Sequence, residues 1–94
     1  MDKVFCIGWI YDKKTKEYES GLVETKFLLK TKKIVGMKDK EKTEYYYIPC
    51  EVRGKKAINV RDNITDGTRA CFWARIILDD IGRLTLAVDD IEFL

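Results

Sequence analysis

The sequence predicts an all-β domain of five strands with one short helix between the third and fourth, and three observations carry that prediction. Apolar residues alternate with a period of two in five separate stretches, the pattern of strands with one face on a core. Between the third and fourth stretches, over 55–64, the period changes: Ala57, Val60 and Ile64 fall at i, i+3 and i+7, a single narrow apolar stripe. Turn signals, Asp66-Gly67 and the run Asp80–Arg83, separate the later stretches. A chain of 94 residues makes one domain, residues 1–94, with enough length for a single modest core.

In the first strand, Val4–Tyr11, the residues Val4, Cys6 and Ile10 point one way and Phe5, Ile7, Trp9 and Tyr11 the other, with Gly8 marking a bend or a close backbone approach. The polar run DKKTKEYESG reads as a turn or long hairpin loop. A second strand, Leu22–Leu29, sets Val23, Thr25 and Phe27 against Leu22, Glu24 and Leu28. The run VGMKDKEKTE reads as a basic loop. In the third strand, YYYIPCEVRG, the residues Tyr46, Ile48, Cys50 and Val52 share a core face. Tyr45, Tyr47, Pro49, Glu51 and Arg53 share the other, and Pro49, lacking an amide hydrogen, suggests an edge or a bulge. After the helix, residues 68–78 place Ala70, Phe72, Ala74 and Ile76 inward and Cys71, Trp73 and Arg75 outward. Asp80–Arg83 forms a hairpin, and Leu84, Leu86 and Val88 line the inner face of the last strand. Three strands, a helix and two strands are the element order of a five-stranded OB-fold barrel; by order alone an SH3-like barrel or an irregular α+β domain also fits.

Composition narrows the function. Apolar content of 46% with 36% charged residues and one proline fits a soluble globule. No apolar run approaches the roughly 18 residues that span a bilayer, and MDKVFCIGWIY lacks the features of a signal peptide, so a cytoplasmic protein with no membrane partner is expected. Cys6, Cys50 and Cys71 are an odd count without CxxC spacing, expected as buried thiols in a reducing compartment. The absence of histidine removes the commonest general base and metal ligand. Ser20 is the only serine and has no nucleophile-elbow context. The pairs Asp79-Asp80 and Asp89-Asp90 read as solvated residues flanking a hairpin and a strand exit. No enzymatic activity, metal or cofactor is expected. Net charge is +2, unevenly spread: residues 26–56 carry ten Lys or Arg against four Asp or Glu, residues 77–94 one against five. Such a basic middle points to a polyanion-binding face or to an ordinary solvated loop.

Four pieces in order resemble the DNA-binding domain of bacterial single-stranded DNA-binding proteins, including the shorter primosomal replication protein B relatives. They are DKVFCIGWI, SGLVETKFLL, EYYYIPCEVRGKKAINVRDNITDG and TLAVDDIEFL. The resemblance implies an OB fold, pairing of subunits through the first strand, and an aromatic at Tyr47 that stacks bases. It implies a non-catalytic role in replication, recombination or replication restart, with single-stranded DNA and replication or restart proteins as partners and a homodimer or homotetramer as the assembly. The chain departs from the family where it has Arg53 in place of a frequent aromatic, Ile34 and Val35 in place of a loop tryptophan, and DDIG in place of a long hairpin. The family's long acidic tail has no counterpart within the 94 residues, which end at Phe93-Leu94, as expected of a trimmed chain or of a tailless relative.

Binding single strands without reading sequence needs exposed π-faces for bases and cations that track phosphates. The outward faces supply Trp9, Tyr45, Tyr47 and Trp73 with Arg53 and Arg75. Lys26, Lys30, Lys32 and Lys33 lead into Lys38, Lys40 and Lys42 of the basic loop. Phe5 and Ile7 are expected at a subunit seam, a position that also suits Trp9. Lys55 and Lys56 suit solvent beside the helix. The alternative function is an OB-fold adaptor in a replication complex that works by protein contacts with weak or no DNA binding.

Overall fold

In the computed structural model, residues 3–35 and 42–94 are described. They form β1 (Lys3–Glu17), β2 (Val23–Val35), β3 (Lys42–Arg53), α1 (Lys55–Asn63), β4 (Thr68–Leu78) and β5 (Leu84–Phe93), the expected elements in the expected order. The strands close into a ring, β1-β2-β3-β5-β4. Every neighbouring pair is antiparallel except β3 and β5, which meet in parallel at Cys50 opposite Leu86 and Glu51 opposite Ala87. Among the described residues no helix is long and apolar enough to cross a membrane.

Ile10, Val23, Phe27, Leu29, Cys50, Val52, Phe72, Leu86 and Val88 fill the ring. Phe27 and Phe72 meet edge to face at 6.1 Å. The helix closes one end with Ala57, Val60 and Ile64, all buried as the stripe requires. Two polar anchors hold it there. The fully buried Thr25 hydroxyl donates to the Ala57 carbonyl at 2.9 Å. The Lys13 ammonium donates to the carbonyls of Val60, Arg61 and Ile64 at the helix C-terminus, where a cation offsets the partial negative charge of unpaired carbonyls.

The structure corrects several expectations. The polar segment after Tyr11 continues as strand to Glu17, pairing Lys14–Glu17 with β2 after a bulge between Tyr11 and Lys14. Asp12 takes a φ of 55° there, and its amide donates to the Asp66 carboxylate at 2.9 Å. β2 extends to Val35, and Lys42–Glu44, read as loop, belong to β3. Tyr46, expected in the core, is 43% exposed, its hydroxyl donating to Glu44. Ile76 and Leu84, expected inside, are also exposed. One physical cause covers all three. Among the described residues, 42–49 of β3 pair only with β2 and Ile76–Leu78 only with β5, so both hairpins run past the closed ring. Alternation there still gives the face, but apart from Ile48, which packs against the core, no core lies behind it. Pro49 stands on the open edge of that β3 segment, with no bulge in its pairing to β2. Of the cysteines only Cys50 is buried, Cys6 and Cys71 being half-buried. Asp89 and Asp90 lie within β5 rather than at its exit, Asp89 bonded to Arg75 and Asp90, solvated as expected, to Lys56.

The β4–β5 turn is built on Asp79, whose carboxylate accepts the amides of Arg83 at 2.8 Å and Ile81 at 3.0 Å and the Arg83 guanidinium at 3.1 Å. These bonds, the Arg83 amide first, hold its pKa below the ordinary aspartate value. A depressed carboxylate stabilises the fold above its unfolded-state pKa, and the contribution is lost as pH falls through the lower folded value. In an acid NMR titration the Ile81 and Arg83 amide shifts should therefore move together, with one midpoint below that of an ordinary aspartate. Separate midpoints, or a midpoint at the ordinary value, would contradict this account of the turn.

Candidate nucleic-acid interface

Strand register aligns four side chains in one row across the sheet: Arg69 on β4 opposite Trp9 on β1, Trp9 opposite Lys30 on β2, Lys30 opposite Tyr47 on β3. The adjacent row, Ile10–Leu29–Ile48, turns into the core, so the first row faces outward. At about 4.8 Å between strands the row is roughly 14 Å wide. Two residues along, Lys32 stands opposite Tyr45. Tyr45 and Tyr47 are 52% and 55% exposed. Lys30 Nζ lies 4.4 Å from the Tyr45 ring centroid and 5.7 Å from that of Tyr11, and the Arg69 guanidinium lies 5.8 Å from the Trp9 ring. Trp9, Tyr11, Lys30 and Tyr45 line one shallow cleft, and Trp9, Lys32 and Arg69 share a second with Ile7, Gly8 and Thr31. Gly8 sets the approach of the strands beside it: a Cβ there would lie 2.4 Å from the Lys30 carbonyl oxygen.

The remaining candidates are elsewhere. Lys26 is exposed on β2, opposite Lys14 and Glu51 and about 13 Å along the strand from Lys30. Lys42 is exposed at the start of β3, 3.6 Å from Glu44. Lys38 and Lys40 lie outside the described residues, as does the side chain of Lys33. Arg53 is about 20 Å along β3 from Tyr47. Its Nε donates to Glu24 at 2.9 Å, and the Glu24 side chain, 4% exposed, also accepts the Tyr18 hydroxyl at 3.2 Å. The bond to Glu24 raises the Arg53 pKa, so the guanidinium stays charged and engaged. Arg75 is held by Asp89 at 3.0 and 3.2 Å. Trp73 packs edge-on against Phe5, ring centroids 5.1 Å apart, in a patch with Cys71 and the acidic Asp90 and Glu92.

The structure thus brings together Trp9, Lys30, Lys32, Tyr45 and Tyr47, and leaves Arg53, Arg75 and Trp73 apart from them. Phe5 and Ile7 are exposed on the outer face of β1. Residues Lys3–Ile7 pair with β4, whereas β2 comes alongside β1 only from Gly8 onward, so one edge of Lys3–Ile7 has no strand neighbour among the described residues. Lys56 bonds to the Asp89 carbonyl and, at 3.0 Å, to the Asp90 carboxylate, rather than facing solvent alone. Two members of the cluster escaped the sequence reading. Tyr11 shares the outward parity of Trp9, a legible signal; Arg69 follows a turn, and only the β1–β4 register places it on Trp9.

A ring closed through one parallel pair, with the helix between β3 and β4 plugging its end, defines the OB fold. The solved structures similar to the chain have this fold too. One is the wild-type single-stranded DNA binding protein from Thermus aquaticus, with a TM-score of 0.83 and 16% identity over 100% of this chain and 50% of that one. Another is the protein PriB from Ralstonia solanacearum, with a TM-score of 0.78 and 15% identity over 99% of this chain and 97% of that one. The chain therefore spans about half the length of the former and nearly all of the latter. No protein-family model matches the sequence, and no curated protein matches it. At such identities the likeness is one of fold, and it agrees with the resemblance read from the four sequence pieces.

Proposed function

We propose that this chain is a non-catalytic, cytoplasmic single-stranded DNA-binding protein acting in replication, recombination or replication restart. The observation that carries the reading is the outward row Arg69–Trp9–Lys30–Tyr47 with Tyr45 and Lys32 beside it. Rings and cations alternate within reach of one another, which suits unpaired bases and the phosphates between them. The likeness of fold to a single-stranded DNA binding protein supports the reading. Titration with oligo-dT at two salt concentrations tests it. Affinity should exceed that for duplex and fall steeply with salt, and tryptophan emission should be quenched. The quench should come from Trp9 and persist in Trp73→Phe, since Trp73 stands in the acidic patch. Tyr47→Ala should cost about 1–3 kcal/mol of binding with little change in salt slope. Lys32→Ala should lower the slope by about 0.7 and weaken every sequence alike. Equal affinity for duplex, or no quenching at micromolar oligo-dT in low salt, would reject the reading.

The protein works as a homodimer formed through β1 in this proposal. The edge of Lys3–Ile7, open among the described residues, and the exposed Phe5 and Ile7 support that, since an unpaired apolar strand edge recruits another. Sedimentation should give a dimer at tens of micromolar and a monomer for Ile7→Asp; a dimer in both would move the seam elsewhere. The adaptor reading draws on a different feature. Ile76, Leu78, Ile81 and Leu84 expose an apolar β4–β5 hairpin suited to contact with a replication or restart protein. It gains if the oligo-dT titration is flat.

A further inference from the structure

Resting on the single-strand-binding reading, we propose that Lys30 and Arg69 are exchangeable caps. In the free protein they cover the faces of Tyr45 and Trp9; when a single strand binds, its bases take the rings and the two cations move to its phosphates. Lys30 Nζ stands 4.4 Å from the Tyr45 centroid and Arg69 Cζ 5.8 Å from that of Trp9, within the range of cation–π attraction. A base cannot stack on a ring face that a cation occupies. Neither cation is held by a carboxylate in an ion pair among the described residues, in contrast to Arg53 and Arg75. Each is therefore free to leave its ring without stranding a buried partner. Lys30 also borders Tyr11 at 5.7 Å, so its ammonium stands between two rings of one cleft. The site carries its own competitor, and the competitor becomes part of the grip once displaced.

This has a signature that a plain phosphate contact lacks. Removing a cation that only touches phosphate lowers the salt slope, and the plots of log affinity against log salt for variant and wild type converge near about 1 M, where counterion release no longer contributes. Removing a cap also frees a ring, so the two lines must cross below that point. Affinity for oligo-dT would be measured from about 0.05 to about 0.5 M salt for wild type, Lys30→Gln and Arg69→Gln, and extrapolated to about 1 M. Each variant should lose about 0.7 of slope, a relative gain of about fivefold per tenfold rise in salt. Each should bind about two- to fivefold tighter than wild type at the intercept, the strength of an exposed cation–π contact. With an abasic oligodeoxynucleotide of the same length, which cannot use the rings, the intercepts should coincide. Without DNA, Arg69→Gln in a Trp73→Phe background should change the Trp9 emission. An oligo-dT intercept at or below that of wild type, or an unchanged Trp9 emission, overturns the exchange while leaving the parent reading intact. No binding of oligo-dT by wild type rejects both. Circular dichroism confirms that the variants fold, and each variant reads a different ring, so either alone decides.

Discussion

Gly8→Ala is expected to destabilise the protein by about 1–3 kcal/mol or more, the range for forcing atoms into a filled site. The Cβ would lie 2.4 Å from the Lys30 carbonyl oxygen and 3.2 Å from its carbon. Both are backbone atoms of a residue paired to Tyr47 on its other side, so they cannot yield as a side-chain tip would. Relief requires β1 to move from β2 where Trp9 meets Lys30, and oligo-dT affinity per folded molecule should fall with stability. Gly21→Ala is the control: with φ of 89° and nothing within 4 Å, it carries only the backbone cost of a left-handed residue, about 1–2 kcal/mol, without a clash. Urea midpoints for the two variants and wild type decide the matter. A Gly8→Ala midpoint equal to that of wild type would show that the strands are not in contact there.

Arg53→Met should cost about 1–3 kcal/mol of stability, the cost of leaving a desolvated acceptor short of a partner. The Glu24 side chain is 4% exposed and would keep only the Tyr18 hydroxyl. Adding Glu24→Gln to that variant should recover most of the loss, because a neutral amide still accepts from Tyr18 and carries no buried charge. DNA binding separates this structural role from the phosphate contact expected of Arg53. Affinity and salt slope per folded molecule should stay at the wild-type values, whereas a slope lowered by about 0.7 would return Arg53 to the interface.

Facing was legible in the sequence; depth was not. Alternation alone sorts Trp9, Tyr45 and Tyr47 outward and Ile10, Cys50 and Phe72 inward, and the helical stripe Ala57–Val60–Ile64 is buried as its spacing requires. Tyr46, Ile76 and Leu84 failed for a reason no local pattern carries. They face the barrel side of strands that outrun the barrel, and where a ring closes depends on partners far away in sequence. The polar segment Asp12–Glu17 failed for the opposite reason. Its strand is held by backbone pairing to β2 and by contacts such as Thr15 Oγ1 to Thr25 Oγ1 at 2.9 Å, with little apolar burial to announce it. In the candidate interface, residue types were readable, but the company each keeps was not. Arg53, Arg75 and Arg69 look alike in sequence; Glu24, Asp89 and Trp9 set their different roles.

The bulge in β1 has a consequence for how the chain can change length. Between Tyr11 opposite Leu28 and Lys14 opposite Lys26, β1 spends three steps against two on β2. The extra residue inverts the parity of everything after it. Even-numbered Ile10 is buried before the bulge, while even-numbered Lys14 turns outward beyond it and odd-numbered Thr15 reaches the buried Thr25. A deletion of one residue at Asp12 or Lys13 would remove the bulge and keep Lys14 opposite Lys26 and Thr15 opposite Thr25, losing the Asp12 bond to Asp66 or the Lys13 cap on the helix. Loss of two residues would shift the frame by one and send Lys14 and Lys16 toward the interior. Insertions and deletions are therefore constrained in β1 by oddness and evenness rather than by number, and the hairpin ends beyond the ring are where single-residue changes in length leave the frame of the barrel untouched.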